Sequence, residues 1–326
     1  MPTGKSTRRR FLELAGAGVA AASPVGVSSV GSAATENGWS TVESGTGKTL
    51  YDAVSTLEEP YAVGSGGDVL ARRAEGWEQV LDAGPTTESN TLRGIDVTDD
   101  GRNVWFAGSS GAVGKYDTAT GEMSDYSAPN SKSSTWESIL IGGAAGSETI
   151  YLANGSGEVL VGQNSAGKVT WGDALEPGGG SSIKGGDLID PTTSYFSDTN
   201  AKVYESTNDG ESYDTIGIEG GSIGLYGVGA ADRDDISVAG GDGSVFRYNG
   251  AVWTKLAVGG SGLNALERAG TSGLTVGGSG TIYRRTWTGW EEEETPAGNA
   301  LQGVTFGTSG PDVAVGSSGT ILERQV

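Results

Sequence analysis

Glu137 is a residue that could in principle supply one carboxyl group of a glycoside-hydrolysing pair. Glycoside hydrolysis needs two carboxyl groups about 5 to 10 Å apart, and Asp52 and Asp187 are the partners that the sequence pattern below could bring towards it. Other chemistries are closed by composition. The 326 residues include no His and no Cys, which removes Ser-His and Cys-His nucleophiles, imidazole and thiolate metal sites, and disulfides. Three acidic runs remain. "EEEE", Glu291 to Glu294, falls where an outermost strand is expected, and its ordinary role there is to solvate and protect an edge. "DRDD", Asp232 to Asp235, and "TDDGRN", Thr98 to Asn103, fall in turns that Asp and Asn favour. Neither has the alternating Asp spacing and final Glu of a calcium loop. No metal and no cofactor are expected.

Charge sets the surroundings of any such group. Lys and Arg number 21 against 41 Asp and Glu, a formal charge of −20. Residues 1–34 carry Lys5, Arg8, Arg9 and Arg10 against Glu13, a net of +3, so the remainder carries −23. Such a surface repels nucleic acid and anionic lipid. At molar salt the screening length falls to roughly 3 Å and the self-repulsion largely vanishes, and the composition resembles that of proteins from halophilic archaea.

The first 34 residues read as an address. A basic cluster, a mildly apolar Ala/Gly/Val run and small residues at Ser32-Ala33-Ala34 have the layout of an export signal. Thr7-Arg8-Arg9-Arg10-Phe11-Leu12 is similar to the twin-arginine signal, with Arg8, Arg9, Phe11 and Leu12 in its key places. The expectation is a signal over 1–34, removed on export through the twin-arginine route, and a domain over 35–326 outside the cell or in its envelope. The run is too poor in transfer energy, and too interrupted by Pro24, for a lasting membrane span.

The elements that must position the side chains come from a repeat. "AVGSSGTI" at Ala314 has counterparts in "AVGSGGDV", "FAGSSGAV", "LANGSGEV", "VAGGDGSV" and "TVGGSGTI". Gly64, Gly108, Asn154, Asp198, Gly240, Gly277 and Gly316 mark the period, at intervals of 44, 46, 44, 42, 37 and 39. Short β-branched and aromatic runs at a spacing near 40, punctuated by Gly, Ser, Asn and Asp, predict propeller blades. Each copy holds an inner strand, an apolar second strand, a Gly/Ser turn of two or so residues with positive φ, a third strand, and a fourth opened by Trp77, Met123, Trp171, Tyr213, Trp253 or Trp290. The last copy, from Leu301, has three strands, and "NGWSTVES" after the signal supplies a fourth. The sequence therefore predicts an all-β, seven-bladed propeller whose N-terminal strand closes the last blade.

"YESTNDGESY" resembles the Asp-box of sialidase-type repeats, with Ser206, Asp209, Gly210, Ser212 and Tyr213 in its positions. Together with the recurrent turns, residues 35–326 resemble the broad superfamily of Asp-box propellers that includes the photosystem II assembly factor and the sialidases. The resemblance implies a structural role for the box, in the turn between third and fourth strands. A sialidase would further need an arginine triad and a Tyr-Glu nucleophile pair, of which the chain offers Arg93. A WD40 assignment lacks the Gly-His pair, since the chain has no His.

One position past the leading residue of each inner strand stand Tyr51, Arg93, Glu137, Lys184, Tyr226, Asn264 and Gln302. Equivalent structural demands should give similar residues; these differ from one neighbour to the next. They are the expected ligand-binding residues at the channel mouth, and the structural alternative is a hydrated channel in which Glu137 pairs with Arg93 or Lys184. No catalytic residue is assigned. The expected function is that of an exported, non-catalytic, monomeric binding or scaffold protein for a cell-surface protein or glycan, not for nucleic acid. A sialidase-like glycan hydrolase is the first alternative, and an assembly factor for a membrane protein complex the second.

Overall fold

Alternation of apolar and polar residues does not describe the second strand of these repeats. Tyr61 to Val63, Val104 to Ala107 and Val313 to Val315 are fully buried without a break, which requires protein on both faces of their sheet. A ring of sheets provides it. The computed structural model describes residues 38–325, and in them twenty-eight strands form seven four-stranded antiparallel sheets, a seven-bladed β-propeller. Arg8, Arg9, Phe11 and Leu12 of the expected signal lie outside the described residues.

The first strands are Leu50–Ser55, Leu92–Val97, Trp136–Gly142, Ile183–Asp190, Leu225–Asp232, Leu263–Ala269 and Leu301–Thr305, in blades 1 to 7. Each packs against the first strands of both neighbours, and the seventh meets the first, so the circle is complete. Blade 7 is stitched from both ends of the chain: Ser40–Val42 pairs antiparallel with Ile321–Arg324, Thr41 facing Leu322. Trp39, just ahead of that strand, is buried and donates its indole N–H to Glu293 of blade 6 at 2.7 Å. Arg284, Arg324, Glu293 and Asp312 join blades 6 and 7 in one ion-pair network. On the other side Glu323 accepts from Arg72 at 3.0 Å and from the Trp77 indole at 2.8 Å, fastening blade 7 to blade 1.

The recurrent turn is longer than expected. Gly64 N–H reaches Asp68 O across a four-residue connection, and two successive residues are left-handed: Gly66 and Gly67, Ser110 and Gly111, Ser279 and Gly280, Ser318 and Gly319. Ser fills the first of these places three times, so backbone freedom alone does not explain the glycine at the second. A Cβ on Gly319 would stand 1.9 Å from Thr46 O, on the linker that leads into blade 1. The turn thus reverses the chain and also seats the passage between blades.

Three finer expectations are corrected. Trp171 ends its strand, Lys168–Trp171, rather than opening it, because its ring lies over Gly162, the one partner without a side chain to displace it. In the Tyr204–Tyr213 turn the bonding residue is Asn208, not Asp209: its Oδ1 accepts from Ser206 Oγ and from Ser212 N–H, while Asp209 contributes its backbone N–H to Thr192 O. The acidic run does not only solvate an edge, since Glu293 takes hydrogen bonds from Trp39, Arg284 and Arg324.

Candidate functional site

Reading down each first strand, the leading residue is Leu50, Leu92, Trp136, Ile183, Leu225, Leu263 or Leu301, each fully buried. Immediately after it the ladder slips. Pairing to the second strand breaks between Leu50 and Asp52, Leu92 and Gly94, Trp136 and Ser138, Ile183 and Gly185, Leu225 and Val228, Leu263 and Ala265, and Leu301 and Gly303. A bulge leaves its extra residue out of the ladder and re-aims the side chain. Here the irregularity falls in every blade on the residue that varies. Tyr51, Arg93, Glu137, Lys184, Tyr226, Asn264 and Gln302 consequently line one cavity of about 210 Å³ on the ring axis.

The ring of seven is unevenly charged. The Arg93 guanidinium lies over the Tyr51 ring, 5.2 Å from its centroid. Glu137 Oε2 is 3.0 Å from Lys184 Nζ and 3.8 Å from Arg93 Nη1. One carboxylate therefore serves two cations, and blades 2 to 4 form a charged arc. Blades 5 to 7 and blade 1 complete the circle with the uncharged Tyr226, Asn264, Gln302 and Tyr51, of which Asn264 donates to Leu301 O at 2.8 Å.

Deeper in the channel lies a second set of carboxylates, of which sequence reasoning named Asp52 and Asp187, as partners of Glu137, but not Asp96 or Glu267. Asp96 Oδ2 accepts the N–H of Ile141 in the next blade at 2.8 Å, and its other oxygen accepts from Val97. Asp187 does the same with Ala230 and Leu188, and Glu267 accepts from Phe306 at 3.2 Å. Asp52, higher on its strand, accepts from Ala53 and from Ile95 of blade 2. These side chains staple neighbouring inner strands through their backbones. The signal was present in the sequence: "LRGID", "IKGGD" and "LNALE" each place an acid three residues after the mouth position.

This bonding bears on hydrolysis, because Asp52 and Asp187 were the candidate partners of Glu137 and both are engaged by two backbone N–H groups. A further ionic fixture is built on the inner strand of blade 6, where Arg268 joins Asp235 at 2.8 Å beside Arg247 and Arg285. Burial would raise the Asp235 carboxyl, but the Arg268 hydrogen bond and the three guanidinium charges overcome it and hold Asp235 below the usual carboxylate range. Among the described residues no group of three or more potential ligands is arranged to hold a metal ion, and no helix is long and apolar enough to cross a membrane.

Comparison with known proteins places the fold and nothing narrower. No protein-family profile matches the chain, and no curated protein is similar to it in sequence. Solved structures do match. A catalytically inactive His-to-Ala variant of virginiamycin B lyase from Staphylococcus aureus, with quinupristin, aligns with a TM-score of 0.74 at 15% identity, over 88% of this chain and 99% of that one. The WD40 propeller domain of Doa1 gives 0.69 at 13%, over 88% and 96%. YCF48 bound to D1 peptide gives 0.68 at 15%, over 89% and 96%.

Proposed function

We propose that the protein is a non-catalytic binding propeller that holds a segment of a partner protein at the mouth of its channel. The observation that carries this reading is the sevenfold bulge, which lifts one residue per blade out of the ladder while the residue types there change around the ring. A purely structural device repeated seven times has no reason to use Tyr, Arg, Glu, Lys, Asn and Gln in turn. The structural neighbour bound to D1 peptide, and another within a mitotic checkpoint complex, are propellers that engage protein partners, which supports the same use here by analogy of fold. The lyase analogy is weaker, since the inactive variant lacks a single histidine and this chain has none.

The partner belongs, on this reading, to the cell surface. The basic, apolar and small-residue order of residues 1–34 supports export, and the −23 of the remainder suits a saline exterior. A role in assembling a membrane complex is a special case of the same binding activity. The test is site-specific photo-crosslinking in envelope preparations, with the probe at Gln302 in the mouth and, as control, at Thr254 on an exposed outer strand. A product specific to Gln302 and suppressed by Tyr226→Ala is expected. Equal labelling from both positions, or none from Gln302, would overturn the proposal.

A further inference from the structure

Trp287 is 97% exposed, the only aromatic side chain among the described residues to stand so far into solvent. It occupies the turn between the third and fourth strands of blade 6, Ile282–Arg285 and Trp290–Glu293. Successive strands of a blade run antiparallel and the first starts at the mouth, so this turn lies at the opposite end of the ring. Blades 1, 2, 3 and 5 make the same connection with Ala74-Glu75, Thr118 to Glu122, Ala166-Gly167 and Asn249 to Val252, none of them aromatic. The turn therefore does not require an indole, and a core role would bury it. The tip is also held stiff. Thr286 donates its N–H to Gly289 O at 2.6 Å, Thr286 Oγ1 and Thr288 Oγ1 are 2.8 Å apart, and Glu291 Oε1 accepts from both hydroxyls, at 3.1 and 2.9 Å. Fixing the backbone on both sides of Trp287 lowers the ordering cost of any contact that its ring makes.

Area and charge select the occupant. A Trp buries about 150–250 Å², against about 800 Å² per partner in a stable protein interface. The other exposed large apolar side chain, Val252, belongs to blade 5, so a second copy or a docked protein finds too little apolar surface here. Glu291, Glu292 and Glu294 are exposed beside the tip, and they repel anionic lipid and acidic polymers. The occupant must therefore be uncharged, satisfied by one aromatic face, and able to donate hydrogen bonds to carboxylates. A neutral sugar ring meets all three conditions: its C–H face stacks on an indole, and its hydroxyls donate to carboxylate oxygens. From this we infer that Trp287 is a stacking platform for a neutral glycan, a second binding site at the end of the ring remote from the mouth. The inference is independent of the mouth reading, and with it the protein could hold a glycan at one end and a protein segment at the other.

Electrophoresis of the purified protein through gels containing mannan, dextran or galactan tests this, with hyaluronan as the acidic comparator and, separately, sedimentation with phosphatidylcholine vesicles. The expected result is retardation by at least one of the neutral polysaccharides, weakened roughly tenfold or more in Trp287→Ala, less in Trp287→Phe, and not at all in the mouth variant Tyr226→Ala. The thermal midpoint of Trp287→Ala should match the parent, since the side chain it removes packs on nothing. Equal retardation of parent and Trp287→Ala, or none in any of the three neutral gels, would overturn the platform. Retardation by hyaluronan as strong as by the neutral polymers would overturn the choice of a neutral ligand. Vesicle binding or self-association that Trp287→Ala abolishes, without retardation in the neutral gels, would overturn it in favour of a lipid surface or a second copy.

Discussion

Two rows of side chains face the same channel from the same seven strands, three residues apart, and they obey different rules. In the deeper row the acids Asp96, Asp187 and Glu267 occur in blades 2, 4 and 6, and each accepts a backbone N–H of the following blade. In the upper row the carboxylate of Glu137 touches only the ends of two long side chains. An acid bonded to backbone is fixed by the fold and helps to fix it; an acid bonded to lysine and arginine can exchange partners when something arrives. Proximity to a channel is therefore a poor guide to function, and the kind of partner is a better one.

Substitutions sharpen the contrast. The largest effect is expected at Gly185, which lies between the rows: a Cβ there would sit 1.9 Å from Tyr226 O, so Gly185→Ala forces blades 4 and 5 apart and should cost about 3 kcal/mol or more in urea unfolding. Asp96→Ala should come next. It leaves the buried N–H of Ile141 without its acceptor, a loss of about 2–3 kcal/mol, and a melting curve unchanged from the parent would show that the deeper row is not structural. Glu137→Gln keeps the shape of the side chain and removes only the charge it shares with Arg93 and Lys184, whose own side chains are about one-third exposed, and should cost about 1 kcal/mol, less than Asp96→Ala. If Glu137→Gln proved as destabilising as Asp96→Ala, the two rows would be equivalent and the mouth would be structural.

Much of the architecture was legible because it repeats. A spacing near 40, a fully apolar second strand and an incomplete final copy lead directly to seven blades with a shared seventh, and the mouth positions follow by counting from Leu50, Leu92 and their equivalents. What escaped was whatever crosses from one blade to the next. The partners of Asp96 and Asp187 lie 45 and 43 residues on, beyond the reach of local pattern, and only alternate blades carry the acid, so the row does not announce itself as a repeat. Asp209 has the side chain the Asp-box calls for, but the geometry of the turn selects by place, and the amide oxygen of Asn208 accepts there.

The closing strand also has a consequence in time. Ser40 and its partner Glu323 are 283 residues apart, so as the chain leaves the ribosome the first of the described strands must wait for the last of them. Until then blade 7 is unfinished and Glu323 cannot reach Arg72, so the circle stays open with unpaired edges at both ends. A nascent chain stalled shortly before Ile321 should therefore be far more vulnerable to proteases than one in which Ile321–Arg324 has paired with Ser40–Val42.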